Sequence, residues 1–234
     1  MHAVLPKTQK GAKMKLALNA VAKFALGFMA LVLLLFLPAG TFAYPRAWLM
    51  IGLLFAPMLI LGTVLFIKAP DLLEKRLDTK EKEKTQKGVV SLSALIFPIG
   101  FIIAALDFRF AWSHVPTWVT AVCAITFLIG YAVYAEVMRE NAYLSRTIRV
   151  EENQTVVDTG LYAFVRHPMY LATLLMFLPM PIILGSLYAL IPFSFYIPVI
   201  AVRIVSEEKL LKTELCGYDG YMKKVKYRLI PFIW

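Results

Sequence analysis

The sequence predicts an all-α protein built of membrane-spanning helices, and three observations lead to this fold class. Of 234 residues, 60% are hydrophobic and 17% are charged, whereas a soluble domain is about half apolar and roughly one quarter charged. The apolar residues lie in long runs: residues 16–37 contain one charged side chain, Lys23, and residues 47–67 contain none. Runs of this length can cross ~30 Å of hydrocarbon as helices, which satisfy their own backbone hydrogen bonds in lipid.

We predict about six spans that together form a polytopic helix bundle. They lie at about 17–39, 46–67, 89–106, 116–138, 169–185 and 187–204. The last two are short and carry Pro179, Pro181, Pro192 and Pro198, and Gly185-Ser186 offers a turn between them. Because proline interrupts the hydrogen bonds of a helix, we expect a tight, kinked helical hairpin at the C-terminal end of the bundle.

The distribution of basic residues indicates how the bundle is oriented. If the N-terminus is cytosolic, the loop at 68–88, the stretch at 139–168 and the tail from residue 203 are cytosolic as well. Of 25 Lys and Arg residues, only Arg46 and Arg109 then lie on the far side. This asymmetry follows the positive-inside rule and predicts an integral membrane protein with both termini in the cytosol. The N-terminal apolar stretch is then an uncleaved first span rather than a signal peptide.

The net charge and the spacing of the cysteines indicate which classes of partner this protein is expected to bind. The net charge of +10 is explained by cytosolic loops that lie near anionic lipid, so we expect membrane lipid rather than nucleic acid as the partner. Neither a CxxC motif nor a cluster with metal-ligand spacing occurs, and no metal site is expected. The loop at 68–88 mixes both charges at helical spacing, which predicts a solvated helix without a chemical role.

The motif Arg166-His167-Pro168 marks the start of the predicted hairpin. Pro168 favours a helix start and an extended conformation at the residue before it. Free backbone N–H groups and the positive end of the helix dipole would meet there, which suits an anionic group. The alternative is that Arg166 reaches a lipid phosphate and His167 only caps the helix.

A second polar cluster follows the hairpin. Arg203 and Glu207 are four residues apart and would share one face of a helix, with Glu208 beside them. Opposite charges next to an anion-binding helix start would fit a zwitterionic ligand, such as an amino acid group, although an ordinary ion pair is the alternative. Four tyrosines could stack on a flat ring or a cation, or form an interfacial aromatic belt: Tyr162, Tyr170, Tyr218 and Tyr221.

The order and spacing of these residues are similar to those of a known protein family. The run GLYAFVRHPMY, about 35 residues of apolar hairpin, and then SEEKLL, GYDGY and RLIPFIW resemble the isoprenylcysteine carboxyl methyltransferase family. The resemblance is closer to its bacterial and archaeal members and to related phospholipid N-methyltransferases. It implies a membrane methyltransferase that uses S-adenosyl-L-methionine at a cytosolic pocket, with a lipid or lipid-modified methyl acceptor. In these terms, residues 1–135 supply N-terminal transmembrane helices and residues 136–234 form the methyltransferase core.

Matched residue by residue, the resemblance implies that three segments bind the cofactor. They supply Gln154, Thr155, Val156, Val157 and Tyr162; then Arg166, His167, Pro168, Met169 and Tyr170; and finally Glu207. Arg203 matches a position that faces the acceptor, so Arg203 and Glu207 are the implied catalytic residues. Two positions depart from the pattern, since some members have His at Gln154 and most have Phe or Pro at Cys216.

Several alternatives remain open at the level of the sequence. A carboxylate acceptor needs no base and could be oriented by Arg203, whereas an amine or a thiol would need Glu207, Glu208 or His167 to take a proton. Membrane sterol reductases share a similar RHP-x-Y segment and use a nicotinamide cofactor, although Asn is common there at the position of Met169. A non-catalytic membrane protein or small transporter is the third possibility, although charges inside the spans are scarce.

Overall fold

The computed structural model describes residues 7–78, 84–144, 150 and 153–234. Within these ranges the regular structure is helical throughout, which confirms the predicted all-α class. The helices are α1 (Lys7–Ala39), α2 (Pro45–Lys68), α3 (Pro70–Leu77), α4 (Lys84–Phe110), α5 (Thr117–Glu140), α6 (Pro168–Phe177), α7 (Met180–Leu184), α8 (Leu190–Ser194), α9 (Tyr196–Glu214) and α10 (Tyr218–Lys224), with a short 3₁₀ helix at Gly160–Ala163.

All six predicted spans coincide with helical segments: α1, α2, α4, α5, the pair α6–α7 and the pair α8–α9. In the described part of the chain, four helical segments are long and apolar enough to cross a membrane: Lys13–Ala39, Pro45–Lys68, Thr117–Glu140 and Leu190–Glu214. Large apolar side chains such as Leu26, Ile60 and Trp118 point outward, where lipid would cover them. The fold is thus a membrane helix bundle, and the number of crossings stays a prediction.

The C-terminal hairpin is kinked, as its prolines predict. The helix α6 gives way to α7 at Pro179, and the returning helices α8 and α9 meet at Phe195. Gly185 makes the turn with φ of 88°, a left-handed conformation that glycine adopts without strain. A Cβ atom there would meet the side chain of Arg46, which would have to shift.

A buried acidic side chain fixes this turn to the bundle. Asp107 is 1% exposed and accepts hydrogen bonds from the backbone N–H of Ser113 at 2.7 Å and from Oγ of Ser113 at 2.6 Å. The Oγ of Ser186 donates a third at 2.5 Å. Since the carboxylate joins α4 to the turn and its hydrogen bonds are satisfied, Asp107 has a structural role.

Arg46 and Arg109 lie at the same end of the bundle as the hairpin turn. Arg46 donates to the carbonyl of Val115 at 2.6 Å, and Arg109 donates to the carbonyl of Pro38 at 3.4 Å. The two arginines expected on the far side of the membrane therefore share one end of the molecule. Which end faces the cytosol stays a prediction.

The charged loop at 68–88 contributes more to packing than its sequence predicts. Its first part forms α3 as expected, but Leu72 and Leu73 are buried, so the prediction of a fully solvated helix is wrong there. The guanidinium of Arg76 on α3 donates to the hydroxyl of Tyr134 and lies 3.6 Å from Sδ of Met169. Residues 79–83 lie outside the described part of the chain.

Candidate active site

A cleft opens at the end of the bundle opposite the hairpin turn. Its walls come from residues 141–144 and 154–157, from the RHP motif region at 162–170, and from the end of α9 with the tail that follows. Its lining residues are Asn141, Tyr143, Leu144, Gln154, Thr155, Val156, Val157, Tyr162, Arg166, His167, Met169, Tyr170, Arg203, Glu207, Leu211, Leu215, Tyr218 and Tyr221. Every residue implied for the cofactor or for catalysis lines this cleft except Pro168, which is buried and begins α6.

One face of α9 forms a wall of the cleft. Arg203, Glu207, Leu211 and Leu215 all line it, and each is four residues after the one before. Residues at this spacing lie above one another on a helix. This four-residue spacing was therefore visible in the sequence, although only Arg203 and Glu207 were predicted as site residues.

A tyrosine hydroxyl joins the two predicted catalytic residues. The hydroxyl of Tyr170 donates to Oε2 of Glu207 at 2.6 Å and accepts from Nε of Arg203 at 3.3 Å. Tyr170 projects from the first turn of α6, whereas the other two side chains project from α9. The hydroxyl therefore holds a carboxylate and a guanidinium at one place on the cleft wall, between the two arms of the hairpin.

The adjacent acidic residue has a different role. Glu208 is 3% exposed and accepts from Nε of Arg166 at 2.7 Å and from Nε of Arg228 at 2.8 Å. Its Oε1 lies 3.3 Å from Nε2 of His167. A carboxylate with these partners maintains the fold, so Glu207 rather than Glu208 remains the acidic group at the cleft wall.

The C-terminal tail forms hydrogen bonds with the RHP motif. The backbone N–H of Arg166 donates to Tyr227, and that of His167 donates to Arg228, each at 2.9 Å. The Nη1 of Arg166 also donates to the carbonyls of Val225 and Lys226. These two N–H groups are therefore used within the protein. The lipid-phosphate alternative for Arg166 is not supported, because its side chain is 5% exposed.

The segment before the motif is positioned by a glycine and two tyrosines. Gly160 has φ of 52°, and a Cβ atom there would lie 1.5 Å from Oε1 of Glu140. The hydroxyl of Tyr162 accepts from Nδ2 of Asn141 at 2.9 Å, and Tyr221 donates to the carbonyl of Tyr162 at 2.7 Å. Burial raises the pKa of Tyr162 well above its ordinary value, so this phenol stays neutral.

The four tyrosines considered in the sequence all line the cleft: Tyr162, Tyr170, Tyr218 and Tyr221. Each is buried, which is unlike the exposed rings of an aromatic belt at a membrane interface. Because they line the cleft, their rings can contact a ligand there. The structure also adds Asn141, Tyr143 and Leu144 to the cleft, and these precede the segment from which the motif was read.

The fold and this cleft define a helical membrane protein with a polar and aromatic site at one end of its bundle. The model of the isoprenylcysteine carboxyl methyltransferase (ICMT) family matches residues 110–213. Over this stretch, which contains the RHP motif, the hairpin and Glu207, the chain is similar to that family. The predicted resemblance is confirmed and indicates a membrane methyltransferase. In a comparison with curated proteins, none matches the chain.

Proposed function

We propose that this protein is an S-adenosylmethionine-dependent methyltransferase whose acceptor is a lipid or lipid-modified molecule with an isoprenylcysteine-like carboxylate. The observation that carries the proposal is the convergence of the implied cofactor residues and Arg203 on one cleft. When bound, S-adenosylmethionine would supply an activated methyl group on its sulfonium. The residues of the chain would bind the cofactor and hold the acceptor in line with that methyl group.

The chemistry of the cleft wall suits an adenosyl amino acid. The wall combines apolar side chains and tyrosine rings, which suit a flat base, with charged groups, which suit an amino acid. In the described part of the chain, no group of three His, Cys, Asp or Glu side chains could hold a metal ion.

The residues have distinct roles in this proposal. The segment Gln154–Val157 and the ring of Tyr162 bind the cofactor from one side, and Glu207 provides a negative charge for its cationic part. Arg203 orients the acceptor carboxylate through charge-assisted hydrogen bonds. Tyr170 keeps Arg203 and Glu207 in their positions. A carboxylate is already nucleophilic, so no base is needed.

The surroundings of Arg203 support an acceptor that arrives from the bilayer. Val202 and Val205 lie on a different side of α9 from Arg203 and are 46% and 49% exposed, as side chains that face lipid would be. Arg203 itself lines the cleft. The polar head of an acceptor could therefore reach Arg203 while its apolar chain stays in the hydrocarbon.

Binding and turnover on the protein in lipid nanodiscs test this proposal. We expect titration with S-adenosylmethionine to saturate and titration with NADPH to show no binding. We also expect methyl transfer from labelled cofactor to a prenylated cysteine with a free carboxylate, but not to the same cysteine without its prenyl chain. Binding of NADPH alone would instead favour the reductase class, and efficient methylation of the unprenylated cysteine would contradict a lipid acceptor.

A further inference from the structure

Tyr218 presents a buried hydroxyl group that the proposed mechanism has not used. The residue is 4% exposed and lines the cleft, and its hydroxyl oxygen finds no hydrogen-bond partner among the described residues. Most buried polar side-chain atoms have a partner, and an unpaired buried hydroxyl is costly. An unpaired hydroxyl on a residue that lines a cleft therefore points to a ligand.

Tyr218 lines the cleft, whereas the second residue with an unpaired buried hydroxyl in the described part of the chain does not. Oγ1 of Thr120 is also buried without a partner in the described part of the chain, but Thr120 lies near the start of α5 and does not line the cleft. Tyr221, one turn after Tyr218 on α10, uses its hydroxyl to bond the carbonyl of Tyr162. Both tyrosines line the cleft, but among the described residues the hydroxyl of Tyr218 has no partner, whereas that of Tyr221 has one.

The chemistry of the phenol defines what it can contact. Burial, with the nearby carboxylates of Glu208 and Glu207, raises the pKa of Tyr218 well above its ordinary value. The group is therefore a neutral O–H at physiological pH, which can donate one hydrogen bond and also accept. A ribose hydroxyl or a ring nitrogen of an adenosyl group would satisfy it.

Resting on the proposed function, we infer that the hydroxyl of Tyr218 hydrogen-bonds the adenosyl part of the cofactor and is a binding residue of this site. Tyr218 belongs to the tail helix α10, whereas Arg203, to which we assign the acceptor, lies on α9. The contact is therefore made to the adenosyl part of the cofactor, which does not react. It follows that S-adenosylmethionine and the demethylated product S-adenosylhomocysteine should depend on Tyr218 to the same extent.

The variant Tyr218→Phe tests this inference, with Tyr221→Phe as its matched control. We expect Tyr218→Phe to weaken binding of both S-adenosylmethionine and S-adenosylhomocysteine about tenfold. The melting temperature of the ligand-free protein should stay the same or rise, because the variant removes an unpaired buried oxygen. Tyr221→Phe should lower that melting temperature, since it leaves the carbonyl of Tyr162 without its donor, and should weaken binding less.

Two results would overturn the inference. One is unchanged affinity of Tyr218→Phe for both ligands. The other is a loss of melting temperature as large as that of Tyr221→Phe, which would show that the protein itself uses the hydroxyl of Tyr218. If the wild-type protein failed to bind S-adenosylmethionine at all, the proposed function would fail, and the inference with it.

Discussion

The hydroxyl of Tyr170 donates a hydrogen bond of 2.6 Å to the carboxylate of Glu207, which joins the first turn of α6 to α9 across the base of the hairpin. The same hydroxyl accepts from Arg203 at 3.3 Å. Two helices that run in opposite directions through the hairpin thus present their charged groups at one point of the cleft. Changes to these three side chains should separate the roles that we propose for them.

Replacing Tyr170 with Phe should lower kcat/KM for methyl transfer about ten- to hundredfold. Hydrogen bonds to charged groups contribute about 1.5–3 kcal/mol, and here the loss would release Glu207 and Arg203 from their positions. Tyr131→Phe is a matched control, because that buried tyrosine donates to the carbonyl of Leu54 and does not line the cleft. Equal activity of the two variants, measured per folded protein, would contradict the role of Tyr170.

Arg203→Ala should reduce methyl transfer much more than it reduces cofactor affinity. We expect kcat/KM to fall about ten- to hundredfold, because a charge-assisted contact with the acceptor is lost. Cofactor affinity and turnover are to be measured on the same preparation. The control is Arg139→Ala, which removes an exposed ion pair with Glu136 on α5 and should change little. An equal loss of affinity and turnover in Arg203→Ala would show that Arg203 only supports the cofactor site.

The adjacent residues Glu207 and Glu208 should behave differently when each is changed to Gln. Glu208→Gln removes the charge between two buried or partly buried arginines, and breaking a buried ion pair costs about 3–5 kcal/mol. We therefore expect a clear fall in its melting temperature. Glu207→Gln should keep the melting temperature close to that of the wild type and weaken cofactor binding instead. The assignment would be wrong if Glu207→Gln were the less stable of the two.

The native cysteines allow a test of orientation. Cys216 is exposed, whereas Cys123 is partly buried on α5. In a Cys123→Ser background, a membrane-impermeant thiol reagent should label Cys216 only after cells are permeabilised. Phe42 is exposed in the loop after α1, so Phe42→Cys, in a background without native cysteines, should be labelled in intact cells. The reverse pattern would show that the cleft faces the outside.

The sequence predicted those features that depend on local patterns. Apolar runs marked the positions of the helices, and prolines with Gly185 marked the kinked hairpin. The spacing of Arg203 and Glu207 placed them on one helix face, and the same spacing extends to Leu211 and Leu215. These signals are local because helix periodicity and proline geometry act over a few residues.

Features that depend on distant parts of the chain could not be predicted in this way. The choice between Glu207 and Glu208 depends on Arg228, which the tail brings beside Arg166 through backbone hydrogen bonds. The contact of Arg76 with Met169 depends on how α3 packs against the bundle. No periodic pattern within either segment contains that information, so only the folded chain shows it.

A structure of the protein with bound S-adenosylhomocysteine tests the central claim most directly. We predict that the ligand lies in the cleft between residues 154–157 and the face of α9 that carries Arg203, Glu207 and Leu211. Its adenosyl group should be within hydrogen-bond distance of the hydroxyl of Tyr218. A ligand bound outside this cleft, or a cleft that stays empty at a concentration that saturates the protein in solution, would contradict the account.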